Sequence, residues 1–374
     1  MKSKLSDICR FVNGKVYVSG LDNSTYISTE NMLPNKGGVT EATTLPNVDL
    51  TQIYQQHDVL VSNIRPYFKK IWFADQEGGC SNDVLVFRAK EGVDPGFLYY
   101  VLADDKFFNY ATATSKGTKM PRGDKKSIME YEVPDFDLDT QRKIASLLGN
   151  IDAKIIVNRE INKNLLQQAR ALYKDRFIDL TPFDGSMPSD WHLGTVSEII
   201  ELHDSKRIPL SSRERAELDK IYPYYGATSV MDYVDRYLFD GIYLLLGEDG
   251  TVVDGQGFPI LQYVEGKFWV NNHAHIITGK NGFTVEMLYL LFSLTNVQSI
   301  VTGAVQPKIS QANLNKVPVV IPSKTELTAF DESIQPFFAE IRNLRTENDR
   351  LVSVRDSLLP RLMSGELDVP DLDL

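Results

Sequence analysis

The stretch from Thr140 to Phe177 decides the fold, and it reads TQRKIASLLGNIDAKIIVNREINKNLLQQARALYKDRF. Its apolar positions alternate steps of four and three residues, which is the spacing of a coiled-coil seam rather than of a broad amphipathic face. The predicted seam contains Ile144, Leu148, Ile151, Ile155, Asn162, Leu165 and Leu172. A helix with so narrow an apolar seam requires a partner helix.

The same rhythm returns 186 residues later, so the partner is expected in the same chain. The second predicted seam contains Phe330, Ile334, Phe337, Ile341, Leu344, Asn348, Leu351, Leu358 and Leu362. Asn162 and Asn348 fall at equivalent positions, where a buried Asn either restricts the register of the pair or is simply tolerated. Pro336 either kinks the second helix or marks its start.

The segments that precede the two helices repeat as well. Residues 15–88 alternate short β-branched and aromatic runs with turn signals, and residues 94–111 have the pattern of a helix. The second half has the same order, with strands predicted at GIYLLL, ILQYV, FWV, AHIIT and VPVVIP and a helix at 283–300. The repeating unit is therefore one mixed α/β domain followed by one long helix.

A pseudo-two-fold relation between the two copies would make the long helices antiparallel. The sequence therefore predicts a mixed α/β (α+β) fold with two tandem domains, separated by an intramolecular antiparallel coiled coil and pseudo-two-fold symmetric. The predicted limits are 1–138 and 179–324 for the domains, 139–178 and 325–365 for the spacer helices, and 366–374 for a C-terminal tail. The 38 residues from Thr140 to Phe177 would span about 57 Å as a helix, so the pair would act as a spacer.

The composition favours a globular chain without a membrane segment. Its 374 residues are 43% hydrophobic, enough for two cores of ordinary size. No apolar run of about 18 residues occurs and the N-terminus lacks the apolar stretch of a signal peptide, so we expect a cytoplasmic protein with no membrane contact. The net charge of −10 argues against tight nucleic-acid binding by the chain alone, because phosphate contacts need clustered Lys and Arg.

No catalytic or metal-binding motif stands out. The motifs GxSxG and HExxH are missing from the sequence, and the Gly-rich segment 247–257 lacks the spacing of a phosphate-binding loop. His273 and His275 share one face of a predicted strand, but the sequence shows no third ligand beside them. We therefore predict a non-catalytic chain without a metal site.

A basic loop interrupts this acidic sequence before the first long helix. Its cations are Lys116, Lys119, Arg122, Lys125 and Lys126. Surface lysines are often only solvated, but Lys, Arg and Gln are also the residue types that contact DNA phosphates and base edges. The second repeat has Gln306 and Lys308 at the corresponding place. Further candidates for DNA binding are Asn63, Arg65, Lys206, Arg207, Arg213 and Arg215. The aromatic segment 222–226 either stacks on bases or anchors a core.

These features together carry a family resemblance. The segment DLDTQRKIASLLGNIDAKI follows the first domain, LLPRLMSGEL ends the second helix, and FWVNNHAHII and QPKIS precede VPVVIP. The chain resembles the specificity subunit of type I restriction-modification enzymes over essentially its full length. Thr325-Glu-Leu-Thr departs from the Gln-Arg-Lys pattern of the first helix, which leaves the start of the second helix open.

The resemblance implies that each domain is a target-recognition domain that reads one half of a split, asymmetric site in double-stranded DNA. The two helices would set the gap, with half-sites about one helical turn apart. It further implies that the chain is no enzyme and holds no cofactor. Two methylation subunits would use S-adenosylmethionine to modify adenine, and two restriction (motor-nuclease) subunits would use ATP and Mg. From the residues alone, a coiled-coil adaptor or dimerisation protein without a DNA role stays an alternative.

Overall fold

The computed structural model describes residues 2–367, so residues 368–374 of the predicted C-terminal tail lie outside the described residues. The chain forms two units. The first consists of the residues up to Val157 together with those from Asn348 onward, and the second consists of residues 158–347. Each long helix therefore gives one part to each unit. The predicted domain limits stay predictions.

The first unit has a mixed sequence of short strands and helices before the first long helix. In chain order these are β1 (Lys2–Lys4), α1 (Leu5–Ile8), β2 (Cys9–Phe11), β3 (Lys15–Tyr17), β4 (Tyr26–Ile27), β5 (Leu50–Tyr54), β6 (Val59–Ser62), β7 (Ile71–Phe73), β8 (Gly78–Cys80), β9 (Val84–Ala89), α2 (Pro95–Ala103), α3 (Asp105–Ala113), α4 (Lys125–Met129), β10 (Glu132–Pro134) and α5 (Leu138–Phe177).

The second unit repeats this order with longer strands. Its elements are β11 (His192–Thr195), α6 (Val196–Ile199), β12 (Ile200–Leu202), α7 (Ser212–Ala216), β13 (Tyr222–Tyr225), β14 (Val230–Val234), β15 (Phe239–Gly247), β16 (Leu261–Val270), β17 (Ala274–Gly279), α8 (Val285–Ser293), α9 (Gln311–Leu314), β18 (Pro318–Ile321) and α10 (Lys324–Ser364).

The two units share one sheet topology. The order β2-β9-β6-β7 in the first unit corresponds to β12-β17-β15-β16 in the second, and all of these pairs are antiparallel. The short pair β1·β10 likewise corresponds to β11·β18. The remaining strands differ, because the first unit has a separate sheet β3-β5-β8-β4, whereas β13 and β14 extend the sheet of the second unit. The predicted repeat is thus a repeat of topology around a common four-stranded sheet.

Three predicted elements differ from the structure. The helix predicted over 283–300 ends at Ser293, and a separate 3₁₀ turn follows at Gln298–Ile300. The helix predicted over 94–111 is two helices, because the chain turns at Asp104, whose side chain accepts a hydrogen bond from the Lys106 amide and caps α3. The strands predicted at ILQYV and FWV are one continuous strand, β16, which pairs with β15 along its length. The intervening Gly266 has a positive φ of 83° and faces Gly241, so two glycines let this long ladder pass without a break.

In the first unit, the N-terminal part of α5 packs against the C-terminal part of α10. Ile144 and Leu148 share one buried cluster with Leu359 and Leu362, beneath α2 and α3. Asn348 donates a hydrogen bond of 3.4 Å to the Ile155 carbonyl. Residues later in α5 thus contact residues earlier in α10, so the two segments are antiparallel.

In the second unit, the remaining parts of the same helices pair in the same sense. Asn158 donates to the Glu347 carboxylate over 2.6 Å, and Arg176 forms an ion pair with Glu326. Beside the Arg176–Glu326 pair, the rings of Phe177 and Phe330 meet edge to face, with centroids 4.8 Å apart. This segment pair is therefore also antiparallel, and it closes the core of the second unit.

The predicted seam is correct in outline but wrong at Leu172. Ile144, Leu148 and Ile155 are buried, and Ile151, Asn162 and Leu165 are half-buried. Leu172 is 43% exposed, and Tyr173 is buried in its place. On the second helix Phe330, Ile334, Ile341, Leu344 and Leu362 are buried and Phe337, Asn348, Leu351 and Leu358 are half-buried. The steps from Ala169 to Tyr173 and Phe177 are all of four residues, which moves the seam off the heptad.

The helix ends follow from local capping. Asp137 accepts a hydrogen bond of 2.8 Å from the Thr140 amide at the start of α5. Ser323 caps α10, which runs from Lys324 through Pro336 without a break, so Pro336 does not mark its start. Gly365 has a positive φ of 70° and ends α10. Within the described chain, no helix is long and apolar enough to cross a membrane.

Replacing Tyr173 by Ala should lower the free energy of unfolding by about 3 kcal/mol, because a buried ring between Phe177 and Phe330 leaves a cavity. The matched change Leu172→Ala should stay within about 0.5 kcal/mol, because Leu172 is exposed. Urea denaturation of both variants measures the difference. Equal destabilisation would restore Leu172 to the seam.

Candidate nucleic-acid interface

The predicted basic loop of the first unit is a closed turn. Lys116 and Arg122 exchange two backbone hydrogen bonds, each of 2.9 Å, and thereby close the five-residue tip Gly-Thr-Lys-Met-Pro, which we call loop 1 (residues 117–121). Gly117 has a positive φ of 97°, which lets the chain reverse. Lys119 and Met120 are exposed at the tip.

Loop 1 is fixed to the end of strand β6. The Arg65 amide donates to the Pro121 carbonyl over 2.8 Å, and the Gly123 amide donates to the Asn63 carbonyl over 3.1 Å. Asn63 and Arg65 are the residues that follow β6 in the chain. The two segments predicted separately as DNA-binding candidates therefore meet at one place.

The second unit has a loop of the same construction. Thr302 and Lys308 exchange backbone hydrogen bonds of 2.9 and 2.8 Å around Gly-Ala-Val-Gln-Pro, which we call loop 2 (residues 303–307). Gly250 donates to the Pro307 carbonyl over 3.0 Å, and Ile309 donates to the Glu248 carbonyl over 2.9 Å. A Cβ on Gly303 would lie 2.2 Å from the Gln306 oxygen, so this position requires glycine.

The two loops are equivalent hydrogen bond by hydrogen bond. Each is closed by a reciprocal pair and is held to the end of a central strand, β6 or β15, by two further backbone bonds. The side chains differ, and at the tips Lys119 and Met120 in loop 1 correspond to Val305 and Gln306 in loop 2. Val305 at the tip of loop 2 is 99% exposed. Each unit thus presents one exposed loop of equal shape and different chemistry.

The cations around loop 1 divide into two groups. Lys116 pairs with Asp124, and Arg122 lies 3.0 Å from the Asp83 carboxylate. The hydrogen bond from Lys116, with that from the Ser127 amide, lowers the pKa of Asp124. In contrast, no carboxylate of the described chain pairs with Lys119, Lys125 or Lys126. These three exposed side chains are available to a polyanion.

Asn63 and Arg65 have polar atoms that the described chain does not satisfy. Asn63 Oδ1 and Arg65 Nε are buried and lack a hydrogen-bond partner among the described residues. Arg65 adopts a left-handed conformation with φ 49°, which non-glycine residues rarely adopt. Unsatisfied polar groups and backbone strain in one place are typical of a functional site.

The second predicted patch is wrong at two of its four residues. Arg207 is largely buried and lies 2.5 Å from the Glu248 carboxylate, while it also donates to the Ala274 carbonyl. Arg215 is buried, lies 3.0 Å from the Asp232 carboxylate and stands over the ring of Tyr224 at 4.7 Å. Both guanidinium groups therefore hold the second unit together. Lys206 and Arg213 are exposed.

The aromatic segment 222–226 is anchored rather than free. Tyr224 is buried, and its hydroxyl accepts a hydrogen bond of 3.0 Å from the Leu210 amide. The ring of Tyr222 meets Tyr237 with centroids 5.2 Å apart. Stacking of Tyr224 on a base is thus ruled out by its burial in this arrangement.

A charged cluster that the sequence did not reveal lies beneath loop 2. Its members are Asp204, Arg207, Glu248, His275 and Lys308. His275 is fully buried, with Nδ1 2.6 Å from the Asp204 carboxylate and Nε2 2.8 Å from the Ile309 carbonyl. Lys308 Nζ lies 3.2 Å from Glu248. The cluster therefore ties the end of loop 2 to β12, β15 and β17.

The sequence shows no third ligand beside His273 and His275, but the fold brings two carboxylates to His275. Ligand atoms of Asp204, Glu248 and His275 all lie within 4.8 Å of one another, as in some metal sites. However, Asp204 already accepts hydrogen bonds from the Gln311 side chain and the Ile276 amide, and Arg207 lies against both carboxylates. These donors and cations occupy the oxygen atoms that a metal would need. The donor set fits an internal charge cluster better than a metal site.

Sequence reasoning missed Asp204 because 71 residues separate it from His275. Glu248 was considered only as part of the Gly-rich segment 247–257. Burial would raise the pKa of Asp204, but hydrogen bonds from His275, Ile276 and Gln311 outweigh that effect and hold the pKa below its ordinary value. Asp204 is therefore ionised in the folded protein.

Comparison with known proteins places these loops in context. A family model described as "Type I restriction modification DNA specificity domain" matches residues 1–167 and again 188–351. The MjaIX type I restriction enzyme specificity subunit of Methanocaldococcus jannaschii is 25% identical over 309 residues, which cover 76% of this chain and 71% of that subunit. The HindI specificity subunit of Haemophilus influenzae is 22% identical over 97% of this chain and 98% of its own.

The fold also has a solved counterpart. A crystal structure of a type I restriction-modification S subunit from M. genitalium superposes with a TM-score of 0.55 at 16% identity. It covers 97% of this chain and 96% of that one. The two matched segments of the family model each contain one loop and the greater part of one long helix.

Asp204→Asn should destabilise the second unit by about 3 kcal/mol at pH 7, because it removes one partner of a buried charged pair. The folded-state pKa of Asp204 is lowered, so its stabilisation is present above the ordinary pKa and is lost as pH falls through the lower folded value. Urea denaturation at pH 7 and below pH 3 should therefore show the gap between wild type and variant closing in acid. The exposed Asp240→Asn on β15 is the control. Equal free energies of unfolding for Asp204→Asn and Asp240→Asn at pH 7 would show that the charged cluster does not stabilise the second unit.

Proposed function

We propose that this chain, which belongs to the type I restriction-modification DNA specificity family, reads a split DNA site with loop 1 in one half and loop 2 in the other. It is a specificity subunit with two tandem recognition domains. The observation that carries the proposal is the equivalence of the two loops. The same backbone scaffold presents different side chains at the end of the same strand in each unit.

The side chains at the two tips suit different base edges. Lys119 is a donor of the kind that contacts the acceptors of guanine, whereas the Gln306 amide offers the donor and acceptor that match adenine. Lys125 and Lys126 are exposed beside loop 1, where they suit phosphate contacts. The two loops have the same backbone arrangement but different side chains at their tips. We therefore expect them to read different half-sites, which makes the DNA target asymmetric.

We propose that further phosphate neutralisation comes from other subunits, because this chain has a net charge of −10. We propose that two methylation subunits bind this chain to form an adenine methyltransferase, and that two restriction subunits add ATP-dependent cleavage. S-adenosylmethionine, ATP and Mg would then belong to those partners. Specificity subunits are DNA-recognition components, and we assign this chain no catalytic residue of its own. Its proposed location is the cytoplasm, where its DNA substrate lies.

A coiled-coil adaptor without a DNA role has no support from these relationships. The long helices do pair, but both matched segments of the family model extend over the sheets and loops as well as the helices. An adaptor would not need an exposed loop with the same backbone geometry in each of its two units. DNA specificity is therefore the function that the site supports best.

Lys119→Ala and Gln306→Ala should each relax recognition in one half-site only, by about 1 to 3 kcal/mol of discrimination if the side chain contacts a base. Each variant is assembled with the methylation subunits, and adenine methylation is mapped on a library randomised in both half-sites. The controls are Lys90→Ala and Lys280→Ala, two exposed lysines at corresponding turns after β9 and β17. Relaxation of both half-sites by either loop variant, or a single contiguous motif for the wild type, would contradict the division of labour.

Seven added residues, one heptad, in each long helix should lengthen the gap without changing either half-site. The insertions belong between Asn158 and Leu165 in α5 and between Ile341 and Asn348 in α10, so that the seam keeps its phase. Seven residues add about 10 Å of helix, or roughly three base pairs. Methylome sequencing reads both the gap and the half-sites. An altered half-site sequence would count against the helices as the element that sets the gap.

A further inference from the structure

We infer that the first recognition domain has a second DNA-contacting element beside loop 1, whose aromatic side chains insert into the base stack of its half-site. This element is the turn from Arg65 to Lys69, which we call the aromatic turn. The inference rests on the proposed function, because it assigns a mode of contact within the half-site that loop 1 reads.

The aromatic turn is rigid and strained. It is a single helical turn, Pro66–Phe68, flanked by two left-handed residues, Arg65 with φ 49° and Lys69 with φ 52°. The amides of Phe68 and Lys69 donate back to the Arg65 and Pro66 carbonyls over 2.9 Å. A turn that keeps two non-glycine residues in this conformation needs support from its surroundings.

That support comes from a second strained segment. The Asn35 amide donates to the Phe68 carbonyl and the Lys36 amide to the Lys69 carbonyl, both over 2.8 Å. Asn35 and Lys36 are themselves left-handed. Lys36 and Lys69 also share the Asp105 carboxylate at 2.9 and 2.8 Å, which fastens both segments to the start of α3. The backbone of the aromatic turn is thus held by the Asn35–Lys36 segment and by Asp105, while its two ring side chains remain exposed.

Those side chains are two exposed aromatic rings. Tyr67 is 48% exposed and Phe68 39% exposed, with ring centroids 4.8 Å apart. Neither belongs to a hydrophobic core of the described chain. A rigid backbone that holds two large rings toward solvent is suited to an apolar contact with a partner.

The charge around the rings selects a polyanion as that partner. Arg65 and Lys69 are the end residues of the turn and Lys36 lies beside it, so three cations stand against the Asp105 carboxylate that pairs with both lysines. This local positive charge stands out in a chain of net charge −10. The Arg65 amide is hydrogen-bonded to Pro121 of loop 1, so the aromatic turn is continuous with the proposed DNA contact.

Duplex DNA is the polyanion that also offers an apolar surface. Proteins that deform DNA insert apolar side chains between base steps beside contacts from Arg or Lys, and the inserted side chain partly unstacks the step. Flexible pyrimidine–purine steps deform most easily, so such a contact adds sequence preference without hydrogen bonds to bases. The aromatic turn has both the apolar rings for insertion and the neighbouring cations for phosphate contact.

Among the residues that the structure describes, the second domain has no counterpart of this element. The residues that correspond to Arg65 and its neighbours are Gly250, Thr251 and Val252, and Val252 is buried. The nearby acidic side chain of Asp254 is bonded within its own turn to Gln256 and Phe258 amides. Deformation of the duplex is therefore expected in one half-site only.

The test uses the full chain assembled with its methylation subunits and a duplex that bears 2-aminopurine within the half-site relaxed by Lys119→Ala. Wild type should raise 2-aminopurine fluorescence on binding, because unstacking relieves quenching. Tyr67→Ala with Phe68→Ala should abolish that rise and weaken binding about tenfold or more. Tyr67→Phe should retain both. The control is Tyr17→Ala, which removes an aromatic side chain that is 67% exposed on β3.

Each outcome decides the inference. Retained methylation preference at the second half-site shows that the double variant is folded, so loss of the fluorescence rise at the first half-site alone supports insertion. Unchanged fluorescence and affinity in the double variant would overturn the inference and leave the proposed function intact. Loss of methylation-subunit binding with unchanged DNA contact would identify a protein-docking surface and also overturn it. If the wild-type complex bound no specific DNA, the proposed function itself would fail.

Discussion

Each recognition domain closes its core only with segments from both long helices, and this constraint governs the rest of the structure. In the first unit, Leu359 and Leu362 of α10 share a buried cluster with residues of the sheet and of α2, although more than 200 residues separate them in the chain. In the second unit, Phe330 and Phe338 have the same role beside Tyr173 and Phe177. Burial of such side chains contributes about 1.5 to 3 kcal/mol each. Helix pairing and domain folding are thus one cooperative event.

Buried polar contacts fix how the helices lie within each unit. Tyr100 of α2 donates to Asp152 of α5, which also pairs with Arg355 of α10 at 2.7 Å. In the second unit, Arg342 of α10 lies 3.2 Å from Glu286 of α8, the helix that corresponds to α2. A buried charged pair adds little net stability, but breaking it leaves a charge without a partner. We infer that both contacts fix the position of each long helix along its axis within its unit.

The sequence allowed the fold to be predicted wherever local periodicity reports on packing. The heptad of α5 and its return in α10, the repeated order of strands and the position of loop 1 were all readable from spacing and charge. The prediction went wrong at Leu172, because a straight helix drifts away from a seven-residue repeat over several turns. The break at Asp104 was missed because a capping Asp and an exposed Asp look alike in one sequence.

The candidate site was less predictable because its chemistry depends on pairings between distant residues. Arg207 and Lys206 are adjacent and of equal charge, yet only Arg207 is buried, since Glu248 lies opposite it. The left-handed conformation of Arg65 and the contact of its amide with Pro121 leave no mark in composition or periodicity. Long-range hydrogen bonds decide which cations remain exposed, and these bonds become visible only once the strands are in register.

The tip of each loop is closed and held to a central strand by main-chain hydrogen bonds, and this has an evolutionary consequence. Because carbonyl and amide groups are common to every residue type, the tip positions other than the glycine and the proline are free to change while the frame stays in place. New preferences can therefore arise by a few substitutions without a loss of folding, and the two halves of the molecule can diverge independently of each other. The main-chain frame of each loop can thus carry different tip side chains, and with them different DNA preferences.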